Sequence, residues 1–174
     1  MPYSNTATVQ TRWNSPLGHM RLAARGNALA GIWFEGQRHQ PDPSAWPVDD
    51  RHPVLLQAVK ELTDYFAGKR KRFDLPLDLD QGTPFQQAVW QTLRQIPLGA
   101  SMSYGDLAQS IGRPSAVRAV GAAVGRNPLC IVVPCHRVLG KNGALTGYAA
   151  GLERKVALLR LEGTPFRIGS PQTD

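Results

Sequence analysis

Cys135 and His136 are the adjacent residues of this chain best suited to nucleophilic chemistry. They follow an apolar run, Ile131 to Val133, and come directly after Pro134. A free thiol has a pKa of about 8.5, so a base has to take its proton before it attacks at neutral pH. The apolar run predicts a buried strand, and neighbouring residues of a strand point to opposite faces. The thiol and the imidazole can therefore cooperate only if the strand ends at Pro134 and the chain turns there, with a bridging water as one route.

A third group should orient the imidazole, as in catalytic triads, and the residues alone do not locate it. The second cysteine, Cys130, lies in the same apolar region and is predicted to be a core residue. Two cysteines are too few for a disulfide framework. Both are predicted to be reduced thiols, which favours a cytoplasmic protein.

The charge of the whole chain favours a polyanionic partner. The 174 residues carry a formal net charge of +7, with an isoelectric point near 9.9. Nucleic acid is the partner that such a balance indicates first. No apolar run approaches the roughly 18 residues of a membrane span, so no membrane association is predicted.

The first part of the chain, residues 1–80, is predicted to be a small α/β domain with an antiparallel sheet. Three segments separated by turns are predicted strands: Val9 to Trp13, Met20 to Ala24 and Ala28 to Phe34. A loop from Gly36 to Asp50 leads to an amphipathic helix from Pro53 to Ala67. The alternation of apolar and acidic residues from Phe73 to Asp80 suggests a further strand. We place the boundary between domains at Gln81-Gly82.

The second domain, residues 83–169, is predicted to be mostly helical. Its first helix starts at Thr83 with a capping box that Gln86 completes. A short helix capped by Ser103 follows, and Ser115 caps the next one. The predicted inner stripe of that last helix is Val117, Val120, Gly121 and Val124, which leaves Arg118, Ala119 and Ala122 on its outer face. Two short helices across a glycine turn are a candidate helix-turn-helix, although ordinary helical hairpins look the same.

Several motifs together resemble one known family. They are Pro134-Cys135-His136-Arg137-Val138, Asn127-Pro128, Arg118-Ala119-Val120-Gly121 and Thr146-Gly147-Tyr148. This set is similar to the O6-alkylguanine-DNA alkyltransferases, closely from about Thr83 to Gly163 and only in general layout before that. The resemblance implies an α+β fold, in which an RNase H-like N-terminal domain precedes a mostly helical domain that carries a helix-turn-helix.

The same resemblance implies direct reversal of DNA damage. Cys135 would take the alkyl group from O6-alkylguanine in double-stranded DNA, irreversibly and once per chain, without a cofactor. Because O6 lies inside the base stack, the guanine has to be rotated out of the duplex. The helix carrying Arg118 would lie in the minor groove, with Arg118 filling the gap. Its DNA-contacting neighbours would be Ser115, Ala119 and Ala122.

The remaining site residues are also assigned by resemblance. Glu162 would orient His136, Tyr104 would donate a hydrogen bond to the extruded base, and Asn127 would act as a hinge. The substrate pocket would be lined by Val138, Tyr148, Ala149, Ala150 and Lys155. Without the resemblance, Glu162, Lys155 and Arg118 are better interpreted as solvated side chains. Ala150 stands where close bacterial relatives have glycine, which puts the acceptance of bulky O6 substituents in doubt.

Two rival interpretations need weighing. A cysteine hydrolase explains Cys135 and His136 but gives Arg118 and the basic charge no role. A non-catalytic lesion-binding relative commonly has tryptophan at the cysteine position, so Cys135 argues directly against it. A DNA-binding regulator is favoured still less, because it needs no nucleophile. Some family members bind zinc in the first domain, but this one has no cysteine there and only scattered histidines, so no metal is predicted. We expect a monomer and leave cooperative DNA binding open.

Overall fold

The computed structural model describes residues 7–168 and divides them into two compact units. The first unit comprises residues 7–81 together with 128–132, and the second comprises residues 82–127 together with 133–168. Together they give the α+β composition that the sequence predicts, with an antiparallel sheet in the first unit and mainly helices in the second.

The first unit is built on an antiparallel meander of three strands. These are β1 (Thr8–Ser15), β2 (Gly18–Arg25) and β3 (Ala28–Phe34), in that order across the sheet. One helix, α1 (Pro53–Phe66), follows and packs on all three strands. It buries Leu55 and Leu62 against the sheet, whose last strand is almost entirely buried. The meander and the helix predicted from the sequence are confirmed.

The strand predicted from Phe73 to Asp80 is wrong. The segment makes a single parallel bridge, between Leu77 and Leu29, and has no continuous ladder. Leu29 donates its N–H to the Pro76 carbonyl at 2.8 Å, and Asp78 donates to the Leu29 carbonyl at 2.9 Å. Pro76 has no N–H to extend this pairing, so an alternating pattern alone could not make the segment a strand.

The strand predicted from Ile131 to Val133 is also wrong. Residues 128–132 contact β3 through one bridge, between Leu129 and Ile32, and then turn. Ile131 adopts a φ of 73°, which is rare for a β-branched residue and incompatible with an extended strand. Leu129, Cys130 and Ile131 are buried because residues 128–132 pack within the first unit, which a periodicity argument does not reveal.

The second unit consists of four helices and two very short strands. They are α2 (Pro84–Leu93), β4 (Met102–Ser103), α3 (Tyr104–Ser110), α4 (Val117–Gly125), β5 (Val138–Leu139) and α5 (Leu152–Glu162). The capping box between Thr83 and Gln86 is present at the start of α2. Trp90 on α2 donates its indole N–H to the Ala123 carbonyl of α4 at 2.8 Å, which locks the two helices together.

Helix α4 departs from its prediction at the N-terminus. Its N-cap is Ala116, which makes no side-chain cap, so Ser115 does not have the predicted capping role. Val117 is 40% exposed and therefore does not belong to the inner stripe. The buried side chains of α4 are Val120, Ala123 and Val124. Val117 lies one turn before them, at the exposed N-terminal end of the helix.

Candidate active site

Cys135 lies in a tight turn that brings its neighbours inward. Pro134 precedes a single 3-10 turn, Cys135–Arg137, whose three side chains are all buried. The Cys135 N–H donates to the Val133 carbonyl at 2.8 Å, and the Arg137 N–H donates to the Pro134 carbonyl at 3.0 Å. The chain thus turns after Pro134, as cooperation between Cys135 and His136 requires. The thiol-bearing residue is 7% exposed, so the surrounding protein largely shields it from bulk water.

His136 is fully buried and pairs with Glu162, the last residue of α5. The distance between Nε2 of His136 and Oε2 of Glu162 is 2.7 Å. Burial lowers the pKa of His136, although the carboxylate of Glu162 works in the opposite direction. A neutral imidazole beside an ionised carboxylate donates from Nε2, which leaves Nδ1 as the acceptor. Glu162 is therefore not the solvated residue that its helix-end position suggests.

Nδ1 of His136 is buried and has no hydrogen-bond partner among residues 7–168. A buried polar atom without a partner is costly, so such atoms in native proteins usually have a functional explanation. Here the atom is a ring nitrogen with a free lone pair, adjacent in the chain to a thiol. The arrangement therefore provides a proton acceptor on the residue that follows Cys135.

Arg137 holds Glu162 ionised and in place. Its Nε donates to Oε1 at 2.7 Å, its second terminal nitrogen donates to Oε2 at 3.0 Å, and the first donates to the Ile96 carbonyl at 2.6 Å. Burial alone would raise the pKa of Glu162, but hydrogen bonds and charge from His136 and Arg137 outweigh it and lower the pKa to about 2. Sequence reasoning did not assign Arg137 a role. The sequence did contain a signal for this role, since Arg137 follows a segment that is predicted to be buried. Arginine is rarely buried unless it is paired, so a buried Arg137 would need a partner.

Tyr104 and Lys155 meet at a third residue, Thr146. The Tyr104 hydroxyl lies 3.1 Å from Oγ1 of Thr146, and Nζ of Lys155 lies 3.1 Å from the same oxygen. Burial raises the pKa of Tyr104 and lowers the pKa of Lys155 to about 8, and the charge of Cys135 opposes the shift at Lys155. The interpretation of Lys155 as a solvated side chain is wrong, because its residue is 0% exposed.

The other residues expected at the site occupy two further positions in the unit. Asn127 is buried just after α4, and its side-chain amide donates to the Val133 carbonyl at 2.7 Å. Arg118, Ala119 and Ala122 lie on the exposed side of α4, as does Ser115 in the turn before it. A Cβ atom added to Gly121 of α4 would lie 3.9 Å from the Tyr104 ring, so this helix passes directly beside Tyr104.

Apart from Lys155 on α5, the expected pocket residues lie on β5 and on the turn before α5. Val138 is buried, and its carbonyl accepts from Lys155 at 2.7 Å. Tyr148 and Ala149 are half-buried, and Ala150 is buried. The turn closes with a hydrogen bond from the Gly151 N–H to the Tyr148 carbonyl, and Gly151 has a φ of 97° that favours glycine.

Residues 7–168 contain neither a membrane-spanning helix nor a cluster of metal-binding side chains. No helix in this range is long and apolar enough to cross a membrane. No three side chains of the histidine, cysteine, aspartate and glutamate types gather there in a way that could hold a metal ion.

Comparison with known proteins places these features in a family. Residues 84–164 match the 6-O-methylguanine DNA methyltransferase DNA-binding domain, and residues 8–79 match the ribonuclease-like domain of the same family. The methylated-DNA--protein-cysteine methyltransferase of Mycobacterium tuberculosis is 48% identical over 86% of this chain and 88% of its own. The protein of that name from Haemophilus influenzae is 44% identical over 92% and 89%.

Solved structures of similar proteins point to the same family as the sequence comparisons. The O6-methylguanine methyltransferase of M. tuberculosis matches with a TM-score of 0.82 at 46% identity, over 90% of this chain and 93% of the other. A structure of the same organism's protein in complex with DNA matches with a TM-score of 0.81 at 46% identity, over 90% and 92%. The two family domains together span most of the sequence. The chain therefore belongs to the 6-O-methylguanine DNA methyltransferase family.

Proposed function

We propose that this protein repairs O6-alkylguanine in DNA by moving the alkyl group to Sγ of Cys135. The observation that carries the proposal is the buried Cys135–His136 turn, in which the contact with Glu162 leaves Nδ1 of His136 as an acceptor without a partner. The name shared by the relatives, methylated-DNA--protein-cysteine methyltransferase, supports the same reaction.

The proposed mechanism uses His136 as the general base. Nδ1 takes the thiol proton of Cys135, with a water between them, while Glu162 accepts the hydrogen bond from Nε2 and stabilises the imidazolium. Sulfur attacks the alkyl carbon, the bond from that carbon to O6 breaks, and its electron pair stays on the guanine. The guanine leaves with a negative charge and takes up one proton, which is equivalent to the proton removed from the thiol. The products are therefore a neutral guanine and a thioether.

The product thioether has no activated carbonyl for water to attack, so the cysteine is not regenerated. The reaction is therefore irreversible, and each chain acts once. Tyr104 would donate a hydrogen bond to the departing base. Val138, Tyr148, Ala149, Ala150 and Lys155 would form or support the pocket, and no cofactor is needed because the damaged base is itself the alkyl donor.

DNA would be bound through α3 and α4, acting as a helix-turn-helix. Arg118 is exposed on α4 among small residues, which allow close approach of the helix to a groove. Rotation of the damaged nucleotide out of the duplex costs a few kcal/mol, and Arg118 would offset part of that cost by filling the gap. Asn127 would hold α4 against the Cys135 turn as a hinge. We further propose a monomer located in the cytoplasm, where both thiols stay reduced.

Intact-protein mass spectrometry after mixing with duplex DNA that contains O6-methylguanine tests the proposal. We expect one added methyl group per chain, on the peptide that carries Cys135. Cys135→Ser should add none while still binding DNA, and Cys130→Ser, which changes the other buried cysteine, is the matched control and should behave as the parent. Methylation at Cys130, or release of many product equivalents per chain as in a cysteine hydrolase, would contradict the proposal.

A further inference from the structure

The hydroxyl of Thr146 lies between two groups of the site and has no role in the mechanism above. Its Oγ1 is 3.1 Å from the Tyr104 hydroxyl and 3.1 Å from Nζ of Lys155. Thr146 itself is half-buried, on the segment that leads from β5 to α5. Its position raises the question of which way each hydrogen bond runs.

Donor and acceptor chemistry sets the directions. An ammonium group only donates, so Oγ1 of Thr146 accepts from Lys155. The threonine hydroxyl has one proton of its own, and among residues 7–168 the Tyr104 oxygen is the other side-chain group within reach of it. If Tyr104 donated instead, the threonine proton would have no acceptor among the side chains within reach in residues 7–168. Donation from Thr146 to Tyr104 satisfies both contacts of Oγ1 and keeps the phenol proton available.

Lys155 does not need this hydroxyl. Its three N–H groups already have three carbonyl acceptors, on Val138 at 2.7 Å and on Thr146 and Gly147 at 3.3 Å each. These are main-chain atoms, so they persist when the side chain at position 146 is changed. Satisfying the buried ammonium therefore does not account for the hydroxyl.

The methyl group of Thr146 has a separate contact. A Cβ atom added to Gly140 would lie 2.9 Å from Cγ2 of Thr146, so this methyl group packs closely over Gly140. The Gly140 N–H donates to the Ala144 carbonyl at 2.7 Å and closes the same loop. The two branches of the side chain therefore do different work, and substitution can separate them.

We infer that Thr146 is a positioning residue, which directs the Tyr104 hydroxyl proton toward the departing guanine. This inference rests on the proposed function. When the carbon–O6 bond breaks, its electron pair remains on the base, and a hydrogen bond donated by Tyr104 stabilises the charge as it develops. A hydroxyl that already accepts from Thr146 is polarised to donate more strongly.

The test compares Thr146→Val, which keeps the methyl group, with Thr146→Ser, which keeps the hydroxyl. Single-turnover rates are measured with duplex DNA containing O6-methylguanine and with free O6-benzylguanine. Losing one hydrogen bond should slow Thr146→Val about tenfold on both substrates, whereas Thr146→Ser should stay within about threefold of the parent. In a Tyr104→Phe background, Thr146→Val should cause no further loss, because the group that it positions is absent.

Three results would overturn the inference: an unchanged rate for Thr146→Val, equal losses for Val and Ser, or a full loss that persists in the Tyr104→Phe background. Thermal unfolding shows whether Thr146→Val is folded, and Thr146→Ala is the second hydroxyl-free variant if it is not. The parent protein separates the two proposals. If it acquires no methyl group, the proposed function fails, whereas a methylated parent with an unaffected Thr146→Val removes only the role of Thr146.

Discussion

The cluster around Glu162 and the outer face of α4 belong to the same unit but differ in burial and in hydrogen bonding. Glu162, His136 and Arg137 are buried, and three hydrogen bonds of 2.7, 2.7 and 3.0 Å join their side chains. Arg118 and its small neighbours on α4 are exposed to solvent. The buried cluster is complete in the protein alone, whereas the outer face of α4 is open to a partner, which we propose above to be DNA.

This contrast separates stability from recognition. Breaking a buried charge pair leaves an uncompensated charge and destabilises a protein by about 3–5 kcal/mol. Changing an exposed side chain away from such features usually shifts stability by less than about 0.5 kcal/mol. Substitutions in the two regions should therefore be distinguishable by whether folding and chemistry change together or apart.

The largest effect is expected for Glu162→Gln. The substitution leaves the buried guanidinium of Arg137 without its counter-charge, so we expect a loss of about 3–5 kcal/mol in the free energy of unfolding. His136 also loses the carboxylate that orients it, and alkyl transfer should slow about a hundredfold or more. Chemical denaturation and single-turnover rates measure the two effects. If Glu162→Gln kept both the parent's free energy of unfolding and its alkyl-transfer rate, the cluster would contribute neither to stability nor to catalysis.

Acid titration sharpens this result. The pKa of Glu162 is lowered from 4.5 to about 2, so the unfolded chain takes up the proton first as the pH falls. The stabilising contribution is complete above about pH 5 and is lost as the pH falls toward about 2, roughly 3 kcal/mol in all. The Glu162→Gln variant lacks this group, so its stability should vary less over the same pH range. Parallel curves for the two proteins would contradict the assignment.

Arg118→Ala should affect duplex repair without affecting the fold. An arginine that fills the gap after base rotation offsets part of a cost of a few kcal/mol, so repair of duplex DNA should slow between about tenfold and about a hundredfold. Free O6-benzylguanine needs no rotation and should react at nearly the parent rate. Equal losses on both substrates would place the effect at the Cys135 turn. Arg113→Ala, which changes another exposed arginine in the turn before α4, is the matched control.

The smallest effect is expected for Ala150→Gly. Ala150 is buried in the turn before α5, where its methyl group would narrow the space for a bulky O6 substituent. Relief of crowding should speed reaction with O6-benzylguanine about fivefold, near 1 kcal/mol, with O6-methylguanine repair much less changed. Glycine also makes the unfolded chain more flexible, so a small fall in the unfolding temperature should accompany the gain. An unchanged ratio of the two rate constants would mean that Ala150 is neutral.

Local rules predicted much of this fold. The meander follows from alternation and turns, and the start of α2 follows from the capping box of Thr83 and Gln86. The structure also contains the turn after Pro134 that cooperation between Cys135 and His136 requires, although the segment before it is not the predicted strand. These features depend on residues within a few positions of one another, which is the range over which periodicity and capping apply.

Features that depend on distant residues could not be predicted in the same way. The residues themselves did not locate the partner of His136, and Glu162 was assigned only by resemblance. Lys155 seemed solvated because lysine usually is, yet three main-chain carbonyls from two segments bury its ammonium. Arg137 contacts both Ile96 and Glu162, which no local pattern brings together. Such pairings are set by tertiary packing.

The crossing of residues 128–132 into the first unit has a consequence for the order of folding. Ile32 of β3 donates its N–H to the Pro128 carbonyl at 2.8 Å and accepts from the Cys130 N–H at 3.2 Å. Helices α2, α3 and α4 lie between these two segments in the sequence. During synthesis, the first unit cannot complete its packing until residue 132 has left the ribosome. A fragment that ends at Gln81 would lack this piece, and one that begins at Gly82 would carry Leu129 and Ile131 without the partners that bury them. Each unit has its own interior, but the first is completed by a segment that the sequence places between α4 and the Cys135 turn.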